Sequence, residues 1–566
     1  MKGDFTRDTF EPAKHFSRVL MQQGRVTLDA DFNEQAAISL RYLRTLARDI
    51  IGPYAAPAGK DANGDDLGGF KLTKLDPDPD KGLFSISKGC YYVNGILVEN
   101  DTDDCTYKTQ PDYEPPANDL LLKATAEGST QPFFVYLDVW ERHITALEDN
   151  SICEKGLGGP NTCTRAKVIW QVKSAAFNDS DSGWQDVQQE VQTDINNLFT
   201  TKANLESDLQ TETDPIKKVG LFVQIQALDE QLRFALLPVH EALLKNLTSI
   251  SNAKLAARVG PGRKTEDACV TPPASKYRGT ENQLYRVEIH QGGQVGDNPP
   301  PTFKWSRDNG SVATAWLGGE GSDLQVASTR GFAAGNWVEL SDDTSDLLGT
   351  PGTLVQLVKV EDGTLSVDPT MLPPFSDFLK NPKVRRWDHI ANDTISLADD
   401  HAIPIQESSP AATPEKIVWI DLEDGVQIQF SAGGVYRTGD YWLIPARVAT
   451  GNVEWPLQTD ADGKPKKDSA GNFVPLEQSP HGIEHHYALL GFASWPQPNQ
   501  KLKIEDARFE FWPLMSRVVE SALSGTPDYH LVQPTSPPGA EPSKPAPKPK
   551  KGRAKKVSAS AKGAPS

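Results

Sequence analysis

At 566 residues the chain is long enough for three or four domains, each able to bury a core of its own. Its formal net charge is −18, and residues 533–566 hold eight Lys or Arg against one acid, so the body before them is more acidic still. An acidic body excludes phosphate-backbone binding as the main task, which needs a basic surface to displace counterions; no nucleic-acid partner is expected.

In chain order, the first element is a strand-to-helix unit over residues 1–58. Arg25-Val26-Thr27-Leu28 alternates like a short strand. Phe32, Ala36, Leu40, Leu43, Ala47 and Ile50 then recur at helical spacing, with Asp29 and Asp31 at the start and Gly52-Pro53 at the stop. The apolar stripe is expected to be core, and Arg41, Arg44 and Arg48 lie on the polar face, where they are candidate partner contacts.

A turn-rich linker leads into a first β-domain, expected over 70–175 and resuming at 280–312. Asn94-Gly95 between apolar runs signals a two-residue hairpin turn. Phe133 to Thr145 is apolar or aromatic on both faces and reads as a central strand, followed by another over Ala166 to Val172. Residues 176–279 change to helical periodicity and read as an inserted α-helical hairpin, with Pro215 opening the second arm and Pro238 kinking it. Its apolar residues either seal the hairpin to itself or form a projecting arm that meets a partner, and its removal is expected to leave the β-body folded. Short strands separated by Gly, Asp and Pro predict a small barrel-like domain over 313–383 and a C-terminal β-domain over 384–530. Residues 531–566, rich in Pro, Lys and Ala, have too little apolar bulk to order and read as a disordered basic tail. The fold class is therefore mainly β and multi-domain: antiparallel sandwich or barrel modules, an N-terminal strand-helix unit and a helical insertion.

Candidate chemistry is sparse. His481, His485 and His486 beside Glu484 are the best metal-ligand candidates, but consecutive strand residues point to opposite faces, so ordinary polar or packing roles are the expectation. Trp305, Arg307, Asp308, Arg386, Trp387, Asp388, Asp440 and Trp442 join aromatic faces to carboxylates, as glycan-binding or glycan-cleaving clefts do; the alternative is that the tryptophans anchor sheet cores. The sequence contains neither a GxSxG elbow nor a phosphate loop, so no catalytic residue or cofactor is expected. Five cysteines without CxxC spacing include Cys153 and Cys163, which flank a Gly-rich loop and can be paired on paper, although free thiols are expected in a reducing compartment.

MKGDFTRDTF, HFSRVLMQQGRVTLDADFNEQAA, YLDVWERHITALED, ENQLYRVEIHQGG, FKWSRDNGSV and YRTGDYWLIPAR together resemble an uncharacterised bacterial family of unknown function. Its members occur among genes for phage-tail-like contractile injection systems. The resemblance implies a non-enzymatic structural or adaptor component of such a particle, or a protein carried by one, whose partners are its other subunits. A carbohydrate-binding or carbohydrate-active surface protein is the rival. The opening residues lack the apolar core of a secretory leader and no run approaches the ~18 apolar residues of a spanning helix, so cytoplasmic synthesis without a signal peptide is expected, with release as part of an extracellular particle.

Overall fold

The computed structural model describes residues 1–59, 65–74, 83–127, 133–176, 197–198, 200–202, 204–247, 251–260, 276–391, 395–408, 418–468, 471–494 and 502–511. The tail at 531–566 and Cys269 lie outside them. The fold is mainly β and built from several modules.

The first module holds two sheets around one apolar core. Gly89–Val93 and Ile96–Asn100 form the expected hairpin, with Asn94 at φ 50° and Gly95 at φ 79° in its turn. Gly95 is required for a second reason: a Cβ there would sit 2.1 Å from the Arg44 carbonyl oxygen, because the helix Asp29–Ile51 rests on this turn. Phe133–Ile144 is central, as its two apolar faces implied. It pairs along its whole length with Arg165–Ala176 on one side and, over residues 133–139, with His486–Ser494 on the other.

A second module is a sandwich. Gln283–Gln291 pairs with Thr302–Ser306 and Tyr441–Arg447 in one sheet. Val426–Ser431 pairs with Leu255–Val259 and Ile420–Asp421 in the other. Both sheets supply one core, including Tyr285, Val287, Phe303, Trp305, Ile428, Phe430 and Trp442. Between these modules residues 313–387 close a six-stranded barrel around Val338, Leu340, Val355, Leu365 and Val384.

The pairing groups the strands differently from the division read from the sequence. Residues 283–306 join the sandwich of the later chain rather than sheet 133–176, while 486–511 return to complete the first module. The helical insertion is not separable at 176–279 either. Leu255–Val259, inside that range, is a sandwich strand, and the helix Pro215–Leu247, continuous through position 238, lays Leu236 and Leu243 into the first module's core. The second arm is helical, though periodicity did not say what its apolar face packs against; residues 177–196, which include most of the first arm, lie outside the described residues.

Candidate functional site

Two features stand apart from ordinary packing: an N-terminal helix with its apolar side outward, and a buried network of charges where the modules meet.

The N-terminal unit folds from local signals. Asp31 accepts from the Leu28 amide at 3.1 Å and Asp29 accepts from the Thr6 amide at 2.9 Å, so first-turn acids tie the helix to the arm that precedes it. Thr9 donates to Glu34 at 2.6 Å, and Gln35 accepts from the Val19 amide at 2.8 Å. Residues 25–28, expected as a strand, pair with no other strand; Leu28 has extended backbone angles of −106° and 154°. A local alternation of side chains supplies no ladder partner.

The helix is seated by its polar face. Both terminal nitrogens of the Arg44 guanidinium reach Glu141 on the central strand, at 3.0 and 2.8 Å, and Arg41 donates to the Pro12 carbonyl at 3.1 Å. Arg48 is 3.7 Å from Asp49. Within the helix, Ala30 and Ile38 are the buried residues, so the expectation that the stripe forms core is overturned. Phe32 is 69% exposed, Leu43 65% and Ile50 58%. Leu46 and Tyr42 are equally bare, as are Phe16, Leu20, Met21 and Val26 in the arm. The helix turns to the body its Arg44 side, because Glu141 and the Gly95 turn offer a carboxylate and a flat surface there. Helical periodicity identifies the face but not the side that is covered.

The charged junction arises from strand alternation. On Gln283–Gln291, Tyr285, Val287 and Ile289 enter the sandwich core, which leaves Arg286, Glu288 and His290 on the opposite face; Lys304 and Ser306 follow the same rule on Thr302–Ser306. On the barrel strands Trp337–Ser341 and Lys383–Trp387, Val338, Leu340 and Val384 point into the barrel, so Glu339, Lys383, Arg385 and Trp387 point out. The two outward faces cover each other, and the charges are buried in apposition.

In the first cluster Lys304 Nζ lies 2.5 Å from Glu339, 3.2 Å from His290 Nδ1 and 3.6 Å from Glu288. Trp387 donates its indole N–H to Glu339 at 2.8 Å and carries the Lys304 ammonium 4.5 Å above its ring. Glu288 also binds Arg286 at 2.6 Å and Lys2 at 2.9 Å. The first residues of the chain are inserted here. The Met1 ammonium donates to the Tyr441 hydroxyl at 2.7 Å, and Asn309 donates to the carbonyls of Met1 and Gly3. Burial drives the Met1 ammonium down to about 4, with Arg286 adding to the effect. Burial alone would raise the Glu288 carboxyl, but Lys2, Arg286 and Lys304 together hold it at about 2. A cavity of about 310 Å³ opens beside this cluster, lined by Met1, Arg44, Trp140, His143, Arg286 and Tyr441.

In the second cluster Glu148, Asp343 and Asp346 bring carboxylate oxygens within 4.8 Å of one another, the one such group of metal-ligand type among the described residues. Lys383 Nζ sits among them, at 2.7, 3.3 and 2.6 Å respectively, and Arg142 adds contacts of 2.6 Å to Asp343 and 3.1 Å to Asp346. An ammonium fills the place a cation would take. Desolvation works to raise Glu148, yet Lys383 outweighs it and holds the carboxyl at about 2. Carboxylates fixed in this way serve as counter-ions; a general acid or base needs a proton affinity near the working pH.

The residues singled out from sequence fall into separate places. Trp305, Arg307, Asp308, Arg386, Trp387 and Asp388 do converge, where the sandwich meets the barrel. Arg307 bridges Glu423 at 2.7 Å and Asp388 at 3.6 Å, while Arg386 binds Asp308 and Asp388. Their tryptophans are core anchors: Trp305 is 3% exposed and Trp387 fully buried. Trp442 is buried in the sandwich, its indole N–H on the Gln478 carbonyl at 2.9 Å, and Asp440 holds Arg437 at 3.0 Å away from the six. The three histidines take three different partners. His481 exchanges backbone hydrogen bonds with Tyr441, His485 pairs with Asp138 at 2.6 Å, and His486 meets Asn94 at 3.1 Å. Cys153 and Cys163 are free thiols, as are Cys90 and Cys105. Sequence reasoning missed Arg142, Glu148, Asp343, Asp346 and Lys383, which lie up to 241 positions apart and carry no local signal. It also missed Arg286, Glu288 and Lys304, whose alternation reads as a solvated strand face.

Fold and site together define a multi-module β protein with an ionic junction inside and an uncovered apolar helix outside. The chain belongs to the Family of unknown function (DUF6519), whose profile matches residues 1–565. A solved structure described as "Crystal structure of TssK" is similar at a TM-score of 0.15 and 10% identity, over 66% of this chain and 96% of that one; likeness at this level carries no argument. No curated protein matches the chain. Among the described residues no helix is long and apolar enough to cross a membrane.

Proposed function

We propose that this chain is a non-enzymatic structural or adaptor subunit of a phage-tail-like contractile injection particle, made in the cytoplasm and docked through its N-terminal unit. The observation that carries the docking is the outward apolar face of helix Asp29–Ile51 together with the bare arm before it. Exposed large apolar side chains on one element exceed what a lone surface tolerates and mark a surface for association. The kind of particle is drawn from the resemblance of the motif blocks, not from the geometry. The glycan reading has lost its platform, since Trp305, Trp387 and Trp442 offer no ring face to a ligand. Purified particles from cells expressing Leu43→Glu in place of the native chain test the proposal. Loss of the chain from the particles, with the free protein folded, is expected; normal loading and function overturn it.

A further inference from the structure

The outward face of helix Asp29–Ile51 has a more specific pattern than general apolarity. Phe32, Ala36, Ser39, Leu43, Leu46 and Ile50 recur at alternating spacings of four and three, and all six are exposed. A 3.5-residue repeat keeps side chains on one seam, the pattern by which a second helix is received knobs-into-holes. Between Phe32 and Ile50 the seam runs about 27 Å at 1.5 Å per residue. Ser39 adds no polar cost to closing it, since its hydroxyl already donates to the Gln35 carbonyl at 3.0 Å.

We infer that the occupant of this seam is the same helix of a second copy, packed antiparallel about a two-fold axis that crosses the seam between Ser39 and Leu43, level with position 41. The inference rests on the docking reading above and specifies the first contact it makes. Residue sizes choose the direction. With the axis there, Phe32 lies beside the partner's Ile50, Ala36 beside the partner's Leu46, and Ser39 beside the partner's Leu43. Each small residue of the first half then meets a leucine of the second half, so the seam fills without a gap. A parallel pair would put Ala36 against itself and Ser39 against itself, with two leucine layers crowded at the other end.

Charge points the same way. The positions flanking the seam are Asn33, Gln35, Leu40, Tyr42, Ala47 and Asp49, so two molecules each carrying −18 meet here with one flanking acid, Asp49, from each helix. Elsewhere on an acidic body, two identical surfaces repel each other. Antiparallel packing sets each helix N-terminus near the partner's C-terminus, where the helix dipoles attract. Leu40 and Tyr42, 40% and 58% exposed, widen the strip on either side of the axis. A patch that contacts its own copy is what a two-fold interface requires.

Light scattering and sedimentation of the full chain through the micromolar range test the pair. The wild type is expected at twice 61.9 kDa, and Leu43→Glu and Leu46→Glu at the single mass, with circular dichroism spectra matching wild type and unfolding that remains cooperative. Direction is read by mild oxidation against the wild-type background. Leu40→Cys, close to the axis, is expected to cross-link to its own copy, whereas Ile50→Cys, beside the partner's Phe32, is not. A wild type that stays monomeric overturns the pair, and self-cross-linking by Ile50→Cys overturns its direction. The docking reading is judged separately by particle loading. If the wild type is monomeric and Leu43→Glu still fails to load, docking survives without the pair; if Leu43→Glu is monomeric and loads normally, the pair survives and docking falls.

Discussion

The N-terminal helix and the junction of sandwich and barrel invert residue placement in opposite senses. Leu43 is 65% exposed on the helix, while Lys304 and Lys383 are each 1% exposed at the junction. Both inversions obey one rule: a side chain goes where its partner is. Glu339, Glu288 and Glu148 meet ammonium groups inside, so each buried ion is offset by an opposite charge. The helix seam finds no apolar counterpart in the described part of its own chain, so it faces outward. Burial in a subunit follows from what the modules present to each other, and apolarity alone does not decide it.

The sharpest way to break the comparison is to remove one ion from the interior. Lys304→Ala leaves Glu339 buried without its nearest cation and is expected to destabilise by about 3–5 kcal/mol, read as a lower urea midpoint. A change below about 1 kcal/mol would mean that water reaches the junction. Next, Leu243→Ala cuts a fully buried side chain from the helix that crosses the first module, and about 2–4 kcal/mol should be lost. Retention of full stability would return that helix to the status of a detachable insertion.

Acid titration sharpens the comparison further. Glu288 and Glu148 have folded values of about 2 against an ordinary 4.5, so their contribution is complete above 4.5 and is lost as pH falls towards 2. His290 and His143, pushed down to about 4 by burial, stay neutral in the fold while the unfolded chain takes up protons below about 6.5. Both sets act in the same direction, so the melting temperature should fall steadily from about pH 6.5 downward. Glu423 opposes them: burial raises it to about 7, and its share of stability grows as pH drops from 7 to 4.5. Glu423→Gln should therefore steepen the decline between those limits, as differential scanning calorimetry would record. The smallest stability effect belongs to the helix. Leu43→Glu should change the unfolding of the separated subunit by no more than about 0.5 kcal/mol, since the side chain touches little of its own chain.

Much of the architecture was legible. Asn94-Gly95, the two-faced apolar run from Phe133 and the Gly- and Asp-punctuated strands of 313–383 each carry their signal within a few residues, and each forms as read. The errors share a cause in distance. Nothing near Phe133 says that its second neighbour is His486–Ser494, and nothing near Arg286-Val287-Glu288 says that a barrel will cover its polar face. The candidate residues carry the same lesson. Trp305 and Trp387 do mark a junction with Arg307 and Asp388, but alternation cannot tell a stacking platform from an anchor beneath a neighbouring module. The helix stripe was found by period and assigned to the wrong side, because period reports a face and is silent on what stands opposite it.

The late return of His486–Ser494 to the central strand sets an order on synthesis. When Phe133–Ile144 leaves the ribosome it has Arg165–Ala176 beside it within seconds, but its other edge stays bare for roughly 340 further residues, on the order of tens of seconds of elongation. The barrel, contiguous from 313 to 387, can close in the meantime. A nascent chain of this protein therefore carries a finished barrel alongside an aromatic edge, Phe134, Tyr136 and Trp140, that invites wrong pairing until its last fifth is made. Ribosome-bound chains stopped far enough past Trp387 for that strand to clear the exit tunnel should hold a protease-resistant barrel and depend on holding chaperones for everything before it.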